Sequence, residues 1–405
     1  MSLNYVQGTP LFSALNTVPK QYPYLTENIE TEVIIIGGGV TGSILGYYFT
    51  KNHIPTVQIE KHRIAMGSTS ITTSLLQYEL DSNLKELEQY TTLENAVQSY
   101  KLGQQALNEI DDFIKTYGNH CHYQVRDTLL YTAKDIEVGE LHTEYTLRKK
   151  YGFNVDYISQ ETNPFSFDLK AGVYAFNGGA ELDPYLFTHQ LLDVATSMGL
   201  KVYENTEAMT INYEQDYVEV ITRFGYTIKG KVIVVATGFN TQLFTKRSFG
   251  NKTTTFNIAT KPVKEIIGWP GRVLIRDNED TYNYLRTTPD NRLIIGGEDI
   301  SFVPGIFNEE AARTKYAILE QRLKNMFPHI PDIEVEYKYC GAFSSTKDNI
   351  GFIGKDPNRD RLYYGLGYGA NGILFAVLAG LMLPSLYKGH PLPEMELFRP
   401  DRFDG

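Results

Sequence analysis

Residues 32–60 decide the fold of this chain: EVIIIGGGVTGSILGYYFTKNHIPTVQIE. The β-branched run at 33–36 ends in glycine and predicts a buried parallel strand. G-x-G-x-x-G at 37–42 then predicts a tight turn into a helix whose first N–H groups face a pyrophosphate. A second strand at 57–59 ends in Glu60, which can accept hydrogen bonds from the ribose hydroxyls of an adenosine. The whole pattern predicts a dinucleotide-binding βαβ unit rather than an ordinary βα turn.

Composition and charge limit the class of protein. The 405 residues are 42% hydrophobic and 21% charged, as in soluble globular proteins, and they are enough for two domains. A net charge of −10 and a pI near 5.4 argue against nucleic acid or an anionic membrane as the main partner. The longest apolar run, 373–383, is too short to span a bilayer. A polar N-terminus without a signal sequence, and only two cysteines, predict a cytoplasmic protein.

Periodicity predicts the remaining elements. Prolines within residues 1–30 predict an extended arm on the surface, and residues 80–117 predict two amphipathic helices. Further helices are predicted at 136–151, 184–198, 309–327 and 373–387. Further strands are predicted at 123–132, 155–158, 201–213, 217–224, 226–228, 231–236, 254–259, 272–275, 282–287, 292–295, 335–339 and 362–366. The turn at 289–291 predicts a hairpin.

Three polar or glycine-rich segments lie beside these elements. Residues 66–77, MGSTSITTSLLQ, are rich in hydroxyls, which can cap a helix or donate to a bound phosphate or ring edge. The strand at 231–236 ends in Thr237-Gly238, which lets the chain pass close to a dinucleotide or is a plain strand-to-turn transition. The strand at 362–366 runs into GYGANG at 367–372 and an apolar helix.

Together, the motifs resemble the FAD-dependent oxidoreductases of the D-amino acid oxidase superfamily, the group of glycine, sarcosine and γ-glutamylputrescine oxidases. The resemblance covers nearly the whole chain, through the order and spacing of its motifs. They are GGGVTGSILG with Glu60, GSTSITTSLLQ, GGAELDPYLF at 178–187, VIVVATG, YNYLRTTPDNRLIIGGED at 282–299, YCGAFSSTKDNIGFIG at 339–354 and GLGYGANGILFA at 365–376.

The resemblance implies an α/β fold, with a Rossmann-like FAD-binding domain and a second domain built on a mixed or antiparallel sheet with helices. We expect the FAD-binding domain at 1–78, 170–243 and 337–405, and the substrate domain at 79–169 and 244–336. The implied reaction oxidises the C–N bond of an amine or amino acid by hydride transfer to flavin N5. The substrate is then a small amine or amino acid, and the acceptor is O2 or an electron carrier.

The same resemblance implies the site residues. The pyrophosphate, ribose, adenine and flavin contacts, together with the hydroxyl-rich segment, are Gly37, Gly39, Val40, Thr41, Gly42, Glu60, Lys61, Ser68, Thr69, Ser70, Thr72, Thr73, Ala208, Ala236, Thr237, Gly238, Gly367, Gly369, Ala370, Asn371, Gly372 and Ile373. Candidates for catalytic roles are Arg286, Lys347, Tyr284 and Tyr368. No metal site is predicted.

Substrate recognition is predicted to depart from that of glycine and sarcosine oxidases. Those enzymes hold the substrate carboxylate with basic residues at positions that are here Thr72, Thr73, Leu75, Leu76, Ala370 and Leu374. Arg286 and Lys347 are the cations left within the matched motifs, and each could instead form a structural ion pair. Some relatives attach flavin through a cysteine near Cys340, but the register here favours a buried, unreactive thiol.

Two other functions stay open. No C-x-x-C or C-x4-C follows the first glycine motif and no second G-x-G-x-x-G occurs, so a pyridine-nucleotide disulfide reductase is not favoured. A flavin monooxygenase or another flavoprotein dehydrogenase is the alternative among enzymes. The alternative from another class is a flavin-binding protein without turnover.

Overall fold

The computed structural model describes residues 5–279, 281–369 and 371–404. Twenty strands and eight α-helices lie in these residues. The strands are β1 (Val6–Gly8), β2 (Ile29–Glu30), β3 (Val33–Ile36), β4 (Thr56–Ile59), β5 (Leu75–Gln77), β6 (Gln124–Thr132), β7 (Val155–Ser159), β8 (Ala171–Glu181), β9 (Lys201–Tyr203), β10 (Ala208–Tyr213), β11 (Val218–Thr222), β12 (Thr227–Gly230), β13 (Val232–Val235), β14 (Asn251–Thr260), β15 (Leu274–Asp277), β16 (Tyr284–Thr287), β17 (Leu293–Ser301), β18 (Val335–Ser345), β19 (Phe352–Asp356) and β20 (Arg359–Leu366). The helices are α1 (Leu11–Leu15), α2 (Val40–Lys51), α3 (Leu84–Leu87), α4 (Leu93–Tyr117), α5 (Val138–Lys150), α6 (Pro184–Ser197), α7 (Glu309–Met326) and α8 (Gly372–Tyr387).

A six-stranded sheet carries the predicted βαβ unit. Its order is β19-β20-β13-β3-β4-β9, and every pairing is parallel except that of β19 with β20. All four residues of β3 are buried, because helices cover one face and the four-stranded sheet of β10, β11, β12 and β2 covers the other. The predicted strand, helix and second strand are confirmed as β3, α2 and β4. This is the Rossmann-like part of the fold.

The second sheet has ten strands and is mixed, as predicted. Its order is β1-β18-β14-β17-β16-β15-β6-β8-β5, and β7 also pairs with β8. The pairing of β15 with β6 is parallel and the others are antiparallel. One face buries its apolar side chains beneath α7. The predicted hairpin at 289–291 is confirmed, because it joins β16 to β17.

A four-stranded sheet, β10-β11-β12-β2, completes the architecture. Its apolar residues pack with those of β3, β4, β13 and β20 in one core cluster. Helices α2, α6 and α8 contribute to the largest core cluster, on the other side of the six-stranded sheet. Among the described ranges, no helix combines the length and the hydropathy needed to cross a bilayer.

The structure corrects the prediction at three places. The N-terminal arm is not simply extended on the surface: β1 pairs with β18, and Leu11 and Phe12 of α1 are buried in the main core. Strands β8 and β19 are absent from the prediction. In β8, the turn-forming residues Asn-Gly-Gly at 177–179 and a register shift interrupt the pattern of a strand. The strand predicted at 201–213 is two strands, β9 and β10, which belong to different sheets.

The predicted domain boundaries cut through the ten-stranded sheet. Strands β1, β5 and β8 and most of β18 fall within the segments assigned to the FAD-binding domain, yet all four pair in that sheet. Sheet membership does not by itself define a domain, because both sheets share one hydrophobic core cluster. The division into two domains therefore remains a prediction.

Candidate functional site

Parallel pairing brings four predicted cofactor segments to one edge of the six-stranded sheet. Ile36 pairs with Val235 and with Ile59, and Val235 pairs with Tyr364. The carboxyl ends of β20, β13, β3 and β4 therefore lie side by side, and ligands of open α/β sheets bind outside such an edge. The segments there are 367–372, 236–238, 37–42 and 60–61.

The glycine turn after β3 is too tight for side chains. Gly37 has φ +123°, and a Cβ on it would lie 2.2 Å from the carbonyl oxygen of Ala236. A Cβ on Gly42 would lie 2.0 Å from the carbonyl oxygen of Gly37, so α2 can approach the turn only with glycine there. The turn, the start of α2 and the end of β13 are therefore in direct contact.

Glu60 faces the glycine turn from the end of β4. Its carboxylate accepts hydrogen bonds from the backbone N–H groups of Gly38, at 2.7 Å, and His62, at 2.8 Å. Its carbonyl oxygen accepts from the N–H of Thr206, at 2.8 Å, two residues before Ala208 begins β10. The predicted ribose and adenine contacts are thus neighbours. Lys61, the next residue, is exposed.

The hydroxyl-rich segment lies beside the same turn. It contains a short 3-10 helix, Ser68–Ser70. The Thr69 hydroxyl accepts from the N–H of Val40 at 3.0 Å and so caps α2 from outside its own segment. Ser68 and Thr72 keep exposed surface, while Thr73 is buried. Capping, one of the two predicted roles, is therefore observed for Thr69.

The C-terminal glycine segment links the two sheets. Gly369 donates its N–H to the carbonyl oxygen of Ser344 in β18, at 2.8 Å. Asn371 donates its side-chain N–H groups to the carbonyl oxygens of Gln77, at 2.6 Å, and Glu79, at 3.1 Å. Helix α8 then begins at Gly372, with Ile373 buried in its first turn. Ala370, also predicted to contact flavin, lies outside the described residues.

Tyr368 joins the C-terminal glycine segment to the end of β13. Its hydroxyl donates to the carbonyl oxygen of Gly238, at 2.9 Å, and its ring contacts Phe239 and Phe352. The Thr237 hydroxyl donates to the carbonyl oxygen of Asn240, at 2.7 Å. Tyr368 therefore holds together two of the segments that border the crevice outside the carboxyl ends of β20, β13, β3 and β4. A direct role of Tyr368 in catalysis stays a prediction.

The donor set at this edge fits FAD. The residues that border the crevice and keep accessible surface are Gly39, Thr41, Glu60, Ser68, Thr72, Thr237, Gly238, Gly367, Gly369 and Gly372. Two helices, α2 and α8, begin there without a basic residue. Apart from the N–H of Val40, which Thr69 caps, the N–H groups at the start of α2 remain available for a pyrophosphate, and those of α8 for a flavin ring. The acid at Glu60 suits a ribose with a free 2′-hydroxyl.

One face of the ten-stranded sheet turns toward this crevice. Residues paired directly across strands share a face of a sheet. Tyr339 pairs with Asn257, Asn257 with Gly296, Gly296 with Tyr284, and Tyr284 with Arg276. We call these five residues the polar row. Its neighbours along the strands point the other way and pack beneath α7.

The polar row lies close to the hydroxyl-rich segment and to the C-terminal glycine segment. A Cβ on Gly341, next to the row in β18, would lie 2.3 Å from Cδ1 of Ile71. Arg276 of the row donates to the carbonyl oxygen of Asp81, and a Cβ on Gly369 would lie 3.7 Å from Oδ2 of the same aspartate. The row therefore faces the part of the crevice where the resemblance predicts the flavin ring.

Tyr284 is the central side chain of this row. Its hydroxyl lies 2.9 Å from Oγ1 of Thr255 and donates to Oδ1 of Asn257 at 3.1 Å. Gly296 makes room for the ring, because a Cβ there would lie 2.3 Å from Cε2 of Tyr284. Burial, followed by the charge of Asp299, raises the pKa of Tyr284. Tyr284 is therefore a neutral phenol that can exchange hydrogen bonds with a substrate.

The two predicted cations have different surroundings. Arg286 is 1% exposed, and its Nη1 donates to the carbonyl oxygens of Thr73, Ser74 and Leu182 at 2.9 to 3.0 Å. Its Nε donates to the carbonyl oxygen of Thr287 and lies 3.6 Å from Glu181. Lys347 is exposed beside the ring of Phe403. These contacts favour structural and surface roles, so substrate binding by either cation stays a prediction.

Several polar residues in the polar row or near it were not singled out from the sequence. They are Thr253, Thr255, Asn257, Arg276, Asp81, Tyr282 and Asp299. The alternation of Thr255 and Asn257 with the apolar Phe256 and Ile258, which pack beneath α7, is the signal that could have revealed two of them. Asp81, Arg276 and Asp299 carry no such signal, because they come from distant segments that only the folded chain brings together.

The described ranges contain no group of three or more His, Cys, Asp or Glu side chains placed to hold a metal ion. Cys340 is 0% exposed and follows Tyr339 in β18, so it points to the opposite face, where it packs with the side chains of α7. Burial raises the pKa of its thiol. A thiol in this place is an unreactive core residue, as its register in the sequence predicts.

Known proteins are similar to this chain in sequence and in fold. The chain is 26% identical over 391 residues to the Putative Rieske 2Fe-2S iron-sulfur protein YhfW of Bacillus subtilis, covering 94% of this chain and 73% of that protein. It is 23% identical over 385 residues to the glycine oxidase of Bacillus subtilis, covering 92% and 97%. The crystal structure of glycine oxidase from Geobacillus kaustophilus superposes with a TM-score of 0.77 at 19% identity, covering 90% and 96%. The DAO family model, described as FAD dependent oxidoreductase, matches residues 32–386. The chain therefore belongs to the DAO family of FAD-dependent oxidoreductases.

Proposed function

We propose that this protein oxidises the C–N bond of an amine or amino acid by moving a hydride from the carbon beside nitrogen to FAD. The observation that carries the proposal is the polar row, which sets a neutral phenol, hydroxyls and an amide against the cofactor crevice. Bound FAD supplies the two-electron acceptor, and reoxidation is assigned to O2 or an electron carrier.

The chain's own part in this reaction is to bind, orient and desolvate the substrate. A substrate amine must be neutral before a hydride can leave the adjacent carbon, and burial disfavours its ammonium form. The hydroxyl of Tyr284, which Asn257 holds in place, can fix the nitrogen by a hydrogen bond, and this also restricts the direction of the C–H bond. No obligatory general base is part of this proposal.

Anaerobic mixing of the purified protein with a panel of amines, followed by flavin absorbance, tests the function. The proposal expects at least one amine class to bleach the flavin. Bleaching by NAD(P)H alone would instead identify a monooxygenase or another dehydrogenase. Inertness toward every amine and toward NAD(P)H would identify a flavin-binding protein without turnover. Reoxidation in air, compared with reoxidation by a dye under nitrogen, distinguishes an oxidase from a dehydrogenase.

Small α-amino acids are expected to reduce the flavin poorly. Arg286 is occupied by backbone carbonyls, and Arg276 donates to the carbonyl oxygen of Asp81 while its charge acts on Glu86 and Tyr100 in the helical layer. Loss of a charge-assisted contact to the carboxylate weakens binding by about tenfold to a hundredfold. The measurement compares apparent Kd values for glycine, sarcosine and larger amines during anaerobic reduction.

The contrary outcome for that prediction is rapid reduction by glycine or sarcosine at low concentration. If Arg276→Met abolished this rapid reduction, Arg276 would bind the substrate carboxylate. If Arg286→Met or Lys347→Met abolished it, the changed residue, one of the two predicted cations, would bind the carboxylate. Rapid reduction that all three changes leave intact would place the substrate away from the polar row.

The flavin is expected to leave on acid precipitation of the protein. Cys340 lies on the α7 side of its strand, so its sulfur cannot reach a flavin in the crevice. After precipitation, absorbance should appear in the supernatant of both the natural protein and Cys340→Ala. Colour that stays with the precipitate and vanishes in Cys340→Ala would demonstrate a covalent link.

A further inference from the structure

A cavity of about 540 Å³ lies outside the cofactor crevice, between β6, the connection from β14 to β15 and the turn of the β16–β17 hairpin. This volume is in the range of small-molecule sites. The charged side chains in its wall are Arg126, Lys264, Arg272 and Glu265. Arg126 pairs with Glu181, and none of the other three forms an ion pair within the described ranges. Two cations against one acid leave the wall with an excess of one positive charge, in a protein whose net charge is −10.

Arg126 is the most buried of these cations and forms the floor of the cavity. It is 9% exposed, and its Nη2 donates to Oε1 of Glu181 at 2.7 Å. Its Nη1 has no hydrogen-bond partner among the described residues and keeps accessible surface. Because Arg126 lines the cavity, a molecule in the cavity can reach this donor. An unpartnered guanidinium N–H in such a place is suited to an anionic oxygen.

The carboxylate behind Arg126 is shared between two arginines. Oε1 of Glu181 lies 2.7 Å from Nη2 of Arg126, and Oε2 lies 3.6 Å from Nε of Arg286. Arg286 in turn donates to the carbonyl oxygens of Thr73 and Ser74 in the hydroxyl-rich segment. Arg126 therefore has only part of a counter-charge, and two ionic contacts connect the floor of the cavity to a segment beside the cofactor crevice.

The other two cations lie nearer the rim. Lys264 is exposed and Arg272 is half-buried. Arg272 donates its Nη2 to Oδ1 of Asn291 in the hairpin turn, at 2.5 Å, and this contact restrains its guanidinium. Guanidinium groups present paired N–H donors that match the two oxygens of a carboxylate.

Apolar side chains complete the wall. They belong to Ile266, Trp269 and Pro270. Trp269 is held in place, because its ring stacks on Phe327 with centroids 4.6 Å apart and its Nε1 donates to the carbonyl oxygen of Val273 at 2.8 Å. An apolar wall beside cationic groups favours an anion with a hydrocarbon part over a hydrated inorganic ion.

We propose that this cavity is a binding site for a small organic carboxylate. The carboxylate is held by Nη1 of Arg126, with Arg272 and Lys264 nearer the rim, and the hydrocarbon part packs on Ile266 and Pro270. A single carboxylate balances the excess charge of the wall. The inference stands apart from the proposed function, because the residues that line this cavity are not those that border the cofactor crevice.

Fluorine NMR of 4,4,4-trifluorobutanoate, titrated with the FAD-loaded protein, tests this site. The proposal expects the carboxylate to bind at least about tenfold more tightly than 4,4,4-trifluorobutanamide, which has nearly the same shape and no charge. Equal binding of the two compounds, or no binding of the carboxylate, overturns the proposal.

Variants at the rim locate the bound carboxylate. Arg126→Met leaves Glu181 buried beside a single arginine and can fail to fold, so the test uses the double variant Lys264→Met with Arg272→Gln. This change should weaken binding of the carboxylate by about tenfold and leave the amide unchanged.

The matched control is Lys101→Met with Arg313→Gln, because both residues are exposed, form no ion pair in the described ranges and lie outside the cavity wall. The control removes the same two charges and should keep the affinity for the carboxylate. Equal weakening by the control would show a general effect of net charge and would overturn the site. Binding that the rim variant leaves unchanged would place the carboxylate elsewhere and would overturn it as well.

Discussion

Gly39→Leu is expected to yield a colourless protein that does not retain FAD. Gly39 immediately precedes α2, keeps accessible surface at the crevice and has only Thr69 within reach, with Oγ1 3.0 Å from the Cβ position. A leucine side chain would displace the threonine that caps α2 and would fill space assigned to the pyrophosphate. Overpacking of about 3 kcal/mol corresponds to roughly a hundredfold weaker binding of FAD.

The measurement is mass spectrometry of the ligand released by heat, together with a titration of the apoprotein with FAD. Gly139→Leu is the matched control, because Gly139 is exposed near the start of α5 with nothing within 4 Å of its Cβ position. Gly39→Ala should have a smaller effect than Gly39→Leu. Full retention of FAD by Gly39→Leu, or release of FMN or NAD from the natural protein, would contradict the assigned crevice.

Arg286→Met is expected to destabilise the protein strongly. The guanidinium joins the hydroxyl-rich segment, the end of β8 and β16 through four carbonyl hydrogen bonds and the nearby Glu181. Methionine fills part of the volume but leaves those acceptors buried without a donor. Removing one partner of a buried ionic contact costs about 3 to 5 kcal/mol in free energy of unfolding.

Denaturant unfolding of the holoprotein measures this effect. Lys347→Met is the control, because its side chain is exposed and should change the free energy of unfolding by no more than about 0.5 kcal/mol. If Arg286→Met instead kept its full stability and lost only the binding of acidic amines, Arg286 would bind the substrate anion. That outcome would refute the structural role inferred from its contacts.

The cofactor edge could be predicted because its geometry follows from local sequence. Each of the strands β3, β4, β13 and β20 ends in an apolar residue and is followed within three residues by a glycine or an acid, and parallel strands carry their carboxyl ends to the same edge. The family resemblance supplied the order of these segments. The glycines at 37 and 42 are needed for the close approaches that their spacing predicts.

The substrate side could not be predicted in the same way. Tyr284 was singled out, but its partners Thr255 and Asn257 come from another strand, and only the register brings them together. Arg286 lies two residues after Tyr284 in β16 and would be expected on the same face of the sheet. Its guanidinium nevertheless donates its hydrogen bonds to backbone carbonyl groups of distant segments. The sequence shows which side chains a strand carries, but it does not show which backbone groups will surround those side chains.

The N-terminal arm shows the same limit. Its prolines predict an irregular, exposed path, and Pro10 does precede the first helix. The path nevertheless buries Leu11 and Phe12, and Tyr5 stacks on Phe302 with centroids 5.6 Å apart. These apolar residues determine the path of the arm, because the free energy gained by burying them beside β18 outweighs the low propensity of the segment for regular structure.

Product analysis in a single anaerobic turnover tests the central claim most directly. The protein is mixed with an excess of the best amine from the panel, and the carbonyl product, the released amine or ammonia, and the reduced flavin are quantified together. Oxidation of a C–N bond predicts equal amounts of all three, and deuterium at the carbon beside nitrogen should slow flavin reduction. Reduced flavin without a carbonyl product, or with oxygen inserted elsewhere in the substrate, would contradict the account.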